Sequence, residues 1–129
     1  MLQTGILNPH ILSLLAQVRH TNRLVIADRG FPSWPGLETI DLTLTDDIPT
    51  VPQVLAAIRP NFAIGQVWMA TEFASRSSPE QQARFAAALT GLRVVYETHV
   101  ALKQRVPGAL GLIRTADTTL YANLILESG

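Results

Sequence analysis

The chain has 129 residues and no cysteine, is 47% hydrophobic and 16% charged, and sets ten Lys and Arg against ten Asp and Glu. That length fits one domain, residues 1–129, which can bury roughly two-thirds of the surface its unfolded form exposes, and the apolar content excludes disorder. The balanced charge offers no field to attract nucleic acid or an anionic membrane, and the missing cysteines exclude disulfides, thiolate metal sites and cysteine nucleophiles.

A neutral or weakly charged small molecule is therefore the expected partner, the cytoplasm the expected compartment, and the apolar surplus points to a buried subunit interface. The start, Met1-Leu2-Gln3-Thr4-Gly5, lacks the basic residues and long apolar run of a signal peptide. No apolar stretch approaches the ~20 residues of a membrane helix.

Asn8-Pro9 reads as a helix cap followed by proline at the first helical position, and Ile11, Leu12, Leu14, Leu15 and Val18 continue a helical stripe toward Arg19-His20. Leu24-Val25-Ile26-Ala27 is a short apolar run ending in Asp28, the pattern of a strand buried on both faces whose polar residue emerges at the carboxyl end. The Pro- and Gly-rich stretch from Arg29 to Gly36 predicts an irregular loop in which Phe31 and Trp34 wall a pocket or an interface.

Thr39 to Leu44 alternates polar and apolar residues as a strand does, and Thr50 is placed to cap a helix through Val54, Leu55 and Ile58. Another buried strand is expected over Ala63–Ala70, a helix from Ser78-Pro79 to Thr90-Gly91, and a strand over Leu92–Tyr96. Thr98 then caps a short helix holding His99 and Lys103, and closing strands are expected near Leu110–Ile113 and Ala122–Leu126.

Apolar strands alternating with helices predict a single layered α/β domain. The last two strands are joined too closely for a helical crossover, so the sheet is expected to be mixed and mostly parallel, flanked by helices. With no repeat or linker, one compact unit is expected to bring the site residues together.

Histidine is the side chain that changes charge near neutral pH, so His10, His20 and His99 are the acid–base candidates. His10 sits in the first helical turn and reads as solvated. His20 lies at a helix end, where an imidazolium also complements the helix dipole.

Asp28 either caps the following loop or faces a site at the carboxyl end of its strand. Tyr121 and Asn123 flank Ala122 in a segment read as extended, so their side chains project to one face, either as grips for a polyhydroxylated ligand or as two satisfied polar groups at a sheet edge. Asp41, Asp46 and Asp47 lack the glycine and distal glutamate of a calcium loop, and no histidine pair completes a zinc site, so no metal is expected. Phosphate-binding, nucleophile-elbow and dinucleotide motifs are absent.

Six segments in order, Gly5-Ile-Leu-Asn8, His20-Thr-Asn22, Ile26-Ala-Asp28 with Gly30-Phe-Pro32, Ile40-Asp-Leu-Thr-Leu44, Ile113-Arg-Thr115 and Tyr121-Ala-Asn123, resemble the ribose pyranase and fucose mutarotase family nearly end to end. The resemblance implies cofactor-free exchange between pyranose and furanose forms, or between anomers, of a free sugar, with His20 as the catalytic proton-transfer residue. It implies sugar binding by Asp28, His99 and Tyr121-Ala122-Asn123, with Lys103 expected to complete the polar wall around the sugar, and His99 with Lys103 looks more like the ribose branch than the fucose branch.

It also implies a ring-like homo-oligomer whose pocket a neighbouring subunit completes. Arg19, Asn22 and Leu120 depart from the glycine, aspartate and proline usual at those places, which leaves the sugar's identity open. The alternatives are an L-fucose-type mutarotase and a non-catalytic sugar-binding regulatory module of a sugar transport system.

Overall fold

The computed structural model describes residues 1–129. The first helix, α1 (Pro9–Gln17), begins where Asn8 accepts the His10 and Ile11 amides at 2.9 and 3.1 Å, with Pro9 in the first turn. It stops short of Arg19-His20, because the Asn22 side chain accepts the Arg19 amide at 2.8 Å and closes a turn instead.

Six strands follow: β1 (Arg23–Ala27), β2 (Glu38–Asp41), β3 (Ile64–Ala70), β4 (Val94–Glu97), β5 (Gly111–Arg114) and β6 (Leu124–Ser128). They form one sheet in the order β2-β5-β1-β6-β3-β4. Five strands run parallel; β6 alone runs against its neighbours β1 and β3. The helix-free connection from β5 to β6 is what forces this reversal, as expected from its length.

The helices α2 (Val51–Ile58) and α4 (Pro79–Ala88) open with matching capping boxes, Thr50 with Gln53 and Ser78 with Gln81. With α1 they cover one face of the sheet, burying Leu14, Leu55 and Phe85 against Leu24, Ile26, Ile113 and Leu126. The other face carries α5 (His99–Arg105) and the aromatic loop, where Phe31 and Leu102 pack on Val25, Ala27, Leu112 and Ile125. No helix is long and apolar enough to cross a membrane.

Other departures from the sequence expectation bear on the site and its surroundings. The Thr39–Leu44 strand ends at Asp41, whose carboxylate accepts the Thr43 amide and hydroxyl and bends the chain away. A five-residue helix, α3 (Glu72–Arg76), lies between β3 and α4, and β6 starts at Leu124 rather than Ala122.

Gly111 marks the tightest helix-to-sheet approach. A Cβ there would sit 2.8 Å from both methyl carbons of Leu14, which is fully buried in the core. Gly111→Ala is expected to cost about 1–3 kcal/mol by overpacking, measured by urea denaturation.

Candidate functional site

At the carboxyl ends of the parallel strands, where open α/β sheets place their sites, a cleft of about 310 Å³ is lined by Asp28, Gly30, Phe31, Pro32, Arg76, His99, Leu120, Tyr121 and Asn123. Its size is at the lower end of the range for small-molecule pockets, about 300–1,000 Å³.

Asp28 follows β1 directly. Its Oδ1 accepts the Gly30 amide at 2.9 Å, while its own amide donates to Asn123 Oδ1 at 2.8 Å. Burial raises its pKa above the ordinary 3.8 and the nearby Asp117 charge adds to this; the Gly30 amide, Asn123 and His99 oppose the rise. Asn123 itself is only 1% exposed, so its amide group is a fixed fitting rather than a surface rotor.

Tyr121 has φ 58°, an uncommon left-handed conformation for a bulky residue, and sits in the turn before β6. The alternation argument for Tyr121 and Asn123 therefore fails, since the segment is not extended. Both nonetheless line the cleft, and Ala122 is buried in the core between them, able to offer only backbone.

His99 opens α5 under the Thr98 cap, and its backbone amide donates to both carboxylate oxygens of Glu72 at 3.0 and 3.1 Å. The ring stands edge-on to Tyr121, centroids 5.0 Å apart, and to Phe31 at 6.3 Å. Its Nδ1 is buried and makes no hydrogen bond within the subunit. Desolvation lowers its pKa below 6.5, helped by the Lys103 charge and opposed by Glu72 and Asp28.

Lys103 lies one turn along α5, with its Nζ 6.0 Å from the Trp34 ring centroid, and it does not line the cleft. Trp34 stacks on Phe31 at 5.5 Å but faces a shallow hollow with Val100, Lys103 and Pro107. Arg114 anchors this loop, donating to the Phe31 carbonyl at 3.1 and 3.3 Å and to Ser33 at 3.0 Å.

His20 is elsewhere. It is exposed on the turn before β1, at the amino end of the strand that Asp28 terminates. The five residues of β1 at ~3.3 Å each put roughly 16 Å of strand between the two ends. One subunit thus gathers Asp28, His99, Tyr121 and Asn123 but not His20, which corrects the expectation that a single unit joins them all.

The His20 turn is built rather than loose: the Thr21 amide donates to the Ser128 carbonyl at 3.0 Å, and Thr21 has φ 68°, rare for a β-branched residue. His10 lies exposed in α1.

Arg76 was not anticipated. It reaches the cleft from the last turn of α3, an element too short to show a periodic pattern, and its side chain makes no ion pair or hydrogen bond in the chain. No three His, Asp or Glu side chains gather to hold a metal ion. A second hollow of about 240 Å³, lined by Asp47, Gln53, Arg84, Asp117 and Thr118 among others, lacks a histidine, and Asp47 there is already engaged by the Thr118 amide and hydroxyl at 2.8 and 2.9 Å.

These titrations act on stability in opposite senses. The lowered pKa of His99 means the fold favours neutral imidazole, so stability is lost as pH falls below about 6.5 through the lowered value. The raised pKa of Asp28 means its carboxylate is a cost at neutral pH that is relieved as pH falls through the raised value toward 3.8. Wild-type protein is expected to lose more thermal stability than His99→Gln between about pH 7.5 and 5.5, a comparison made by melting both at each pH.

The RbsD / FucU transport protein family model matches residues 1–129. Two proteins named D-ribose pyranase, from Streptococcus agalactiae serotype V and Bacillus subtilis strain 168, are 38% and 35% identical to this chain over all of it and 98% of their own length. The structure of Bacillus subtilis RbsD complexed with D-ribose superposes with a TM-score of 0.91 at 32% identity, covering 100% of this chain and 98% of that one. A fucose mutarotase from Streptococcus pneumoniae, solved with L-fucose, shares the fold with a TM-score of 0.77 at 19% identity, covering 98% of this chain and 94% of the other.

Proposed function

This chain belongs to the RbsD / FucU transport protein family, and from that premise we propose that it is an isomerase of the D-ribose pyranase kind, interconverting pyranose and furanose forms of a free aldose such as D-ribose. The observation that carries the reading is the cleft itself, where Asp28, His99, Tyr121 and Asn123 converge from the ends of β1 and β4 and the turn before β6. Full-length identity to D-ribose pyranases supports ribose over fucose.

Opening a hemiacetal requires removing a proton from the anomeric hydroxyl and adding one to the ring oxygen; closing it at another hydroxyl reverses both transfers. Asp28 accepts from one sugar hydroxyl, and Asn123, whose carbonyl accepts the Asp28 amide and whose side chain also bonds the Asp28 carboxylate, holds that carboxylate in place for it. Tyr121 and the exposed Arg76 donors supply further contacts. His20 exchanges the proton.

Since His20 and the cleft lie at opposite ends of β1, the reactive assembly is a homo-oligomer in which His20 of one subunit enters the cleft of the next. The cleft's surroundings favour such a contact: Leu120 on its rim is 56% exposed, and Val100, one residue beyond His99, is 69% exposed. The enzyme acts in the cytoplasm.

Magnetisation-exchange NMR on D-ribose tests the activity. Added protein is expected to speed exchange between pyranose and furanose signals. Binding of ribose with unchanged exchange would make the chain a sugar-binding module instead, and faster exchange of L-fucose anomers alone would place it in the other branch.

A further inference from the structure

We infer that Asp117 is a positioning residue, one that holds Asp28, Tyr121 and Asn123 in the arrangement that grips the sugar. The inference rests on the ribose reading for its kinetic consequence but on geometry for its basis. Asp117 is 3% exposed and lies in the β5–β6 connection, outside the cleft lining.

A buried carboxylate is costly unless its oxygens are filled by donors. Here each one is: Oδ2 accepts the Val51 amide at 2.9 Å and Oδ1 accepts the Thr119 amide at 2.8 Å. The first bond ties the connection to the opening of α2; the second closes the turn two residues before Tyr121.

The main chain around Asp117 completes a belt about Asp28. The Asp117 carbonyl accepts the Arg29 amide at 3.1 Å. Its amide donates to Thr115 Oγ1 at 3.1 Å, and that hydroxyl donates to the Ala27 carbonyl at 2.8 Å. Thus Ala27 and Arg29, the residues on either side of Asp28, are both fastened to Thr115–Asp117, while the Asp28 amide is held by Asn123 at the far end of the same connection. One buried acid fixes where the connection runs, and the connection fixes three sugar-facing side chains.

Asn cannot replace Asp117 without loss, because its NH₂ would face one of the two backbone donors. Thr115→Val breaks the belt at a different bond with nearly the same shape, and so serves where Asp117→Asn fails to fold. In folded protein, both variants are expected to raise KM for ribose ring exchange, about 10- to 100-fold for Asp117→Asn, with a smaller change in kcat, since misplacement of about 1 Å costs up to about 10²-fold and the proposed proton-transfer residue is positioned by another subunit's turn, which the Asp117 belt does not hold. A purely structural role would lower the melting temperature and leave KM alone. A KM within about twofold of wild type in the folded variants overturns the inference.

A second measurement does not depend on activity. Carbon-13 NMR titration of the Asp28 carboxyl is expected to give a lower pKa in Asp117→Asn than in wild type, because Asp117 raises it; His99 faces Asp28 too and opposes that rise, and it is unchanged by the substitution. An unaltered Asp28 titration overturns the inference even if wild-type protein proves inert toward ribose, an outcome that would instead remove the pyranase reading.

Discussion

Replacing His20 with alanine is expected to lower the catalysed exchange of ribose ring forms by about 10²–10⁴-fold, the usual contribution of one positioned acid–base group. The same substitution is expected to leave ribose affinity within about twofold of wild type, because the proposed sugar grips, Asp28, Tyr121 and Asn123, are untouched and His20 is assigned only the proton transfer. The fold should not notice: His20 is exposed, and the turn that presents it is held by backbone bonds from Thr21 to Ser128 and from Ser128 to Asn22, neither involving the imidazole. Exchange NMR and calorimetry on one preparation separate these quantities. Retained acceleration would displace His20 and turn attention to His99, the histidine that does stand in the cleft.

That the proposed proton carrier, His20, lies outside the cleft of its own subunit is a point on which sequence and structure speak differently. The apolar run Leu24–Ala27 is unmistakable as a buried strand, and it is fully buried. Read strictly, that run already requires its two flanks to be apart: His20 precedes an extended strand and Asp28 follows it, so no single fold can bring them together at one end. The convergence of Asp28 with Tyr121 and Asn123 is less accessible, since it depends on the antiparallel course of β6 beside β1, set by pairing rather than by local pattern.

Tyr121 shows a further limit. Its placement in the cleft arises from a left-handed turn with no glycine to announce it. The short helix α3 escaped for a related reason. Only Phe73 of its five residues is buried, and its opening acid, Glu72, is held by the remote His99 amide rather than by helical periodicity. Lys103 is legible as a neighbour of His99 four residues along a helix, but its side chain turns to Trp34, an aromatic brought there by the proline-rich loop.

A mixed-assembly experiment turns the separation of His20 and Asp28 into a test of the shared pocket. His20→Ala retains the cleft and loses the proposed proton carrier; Asp28→Asn retains that carrier and loses the carboxylate proposed to grip the sugar, while its Oδ1 can still accept the Gly30 amide and preserve the loop. Each variant alone is expected to show little catalysis. If His20 of one subunit serves the cleft of its neighbour, co-expression in equal amounts creates pockets in which both native residues meet, about a quarter of the total for random assembly around a closed ring. The expected rate is therefore about a quarter of wild type, far above either parent. Were the pocket built within one chain, every subunit in the mixture would carry a defect in its own site, and no combination could restore activity. A mixture no faster than its parents, in assemblies shown by mass spectrometry to contain both variants, would refute the shared pocket.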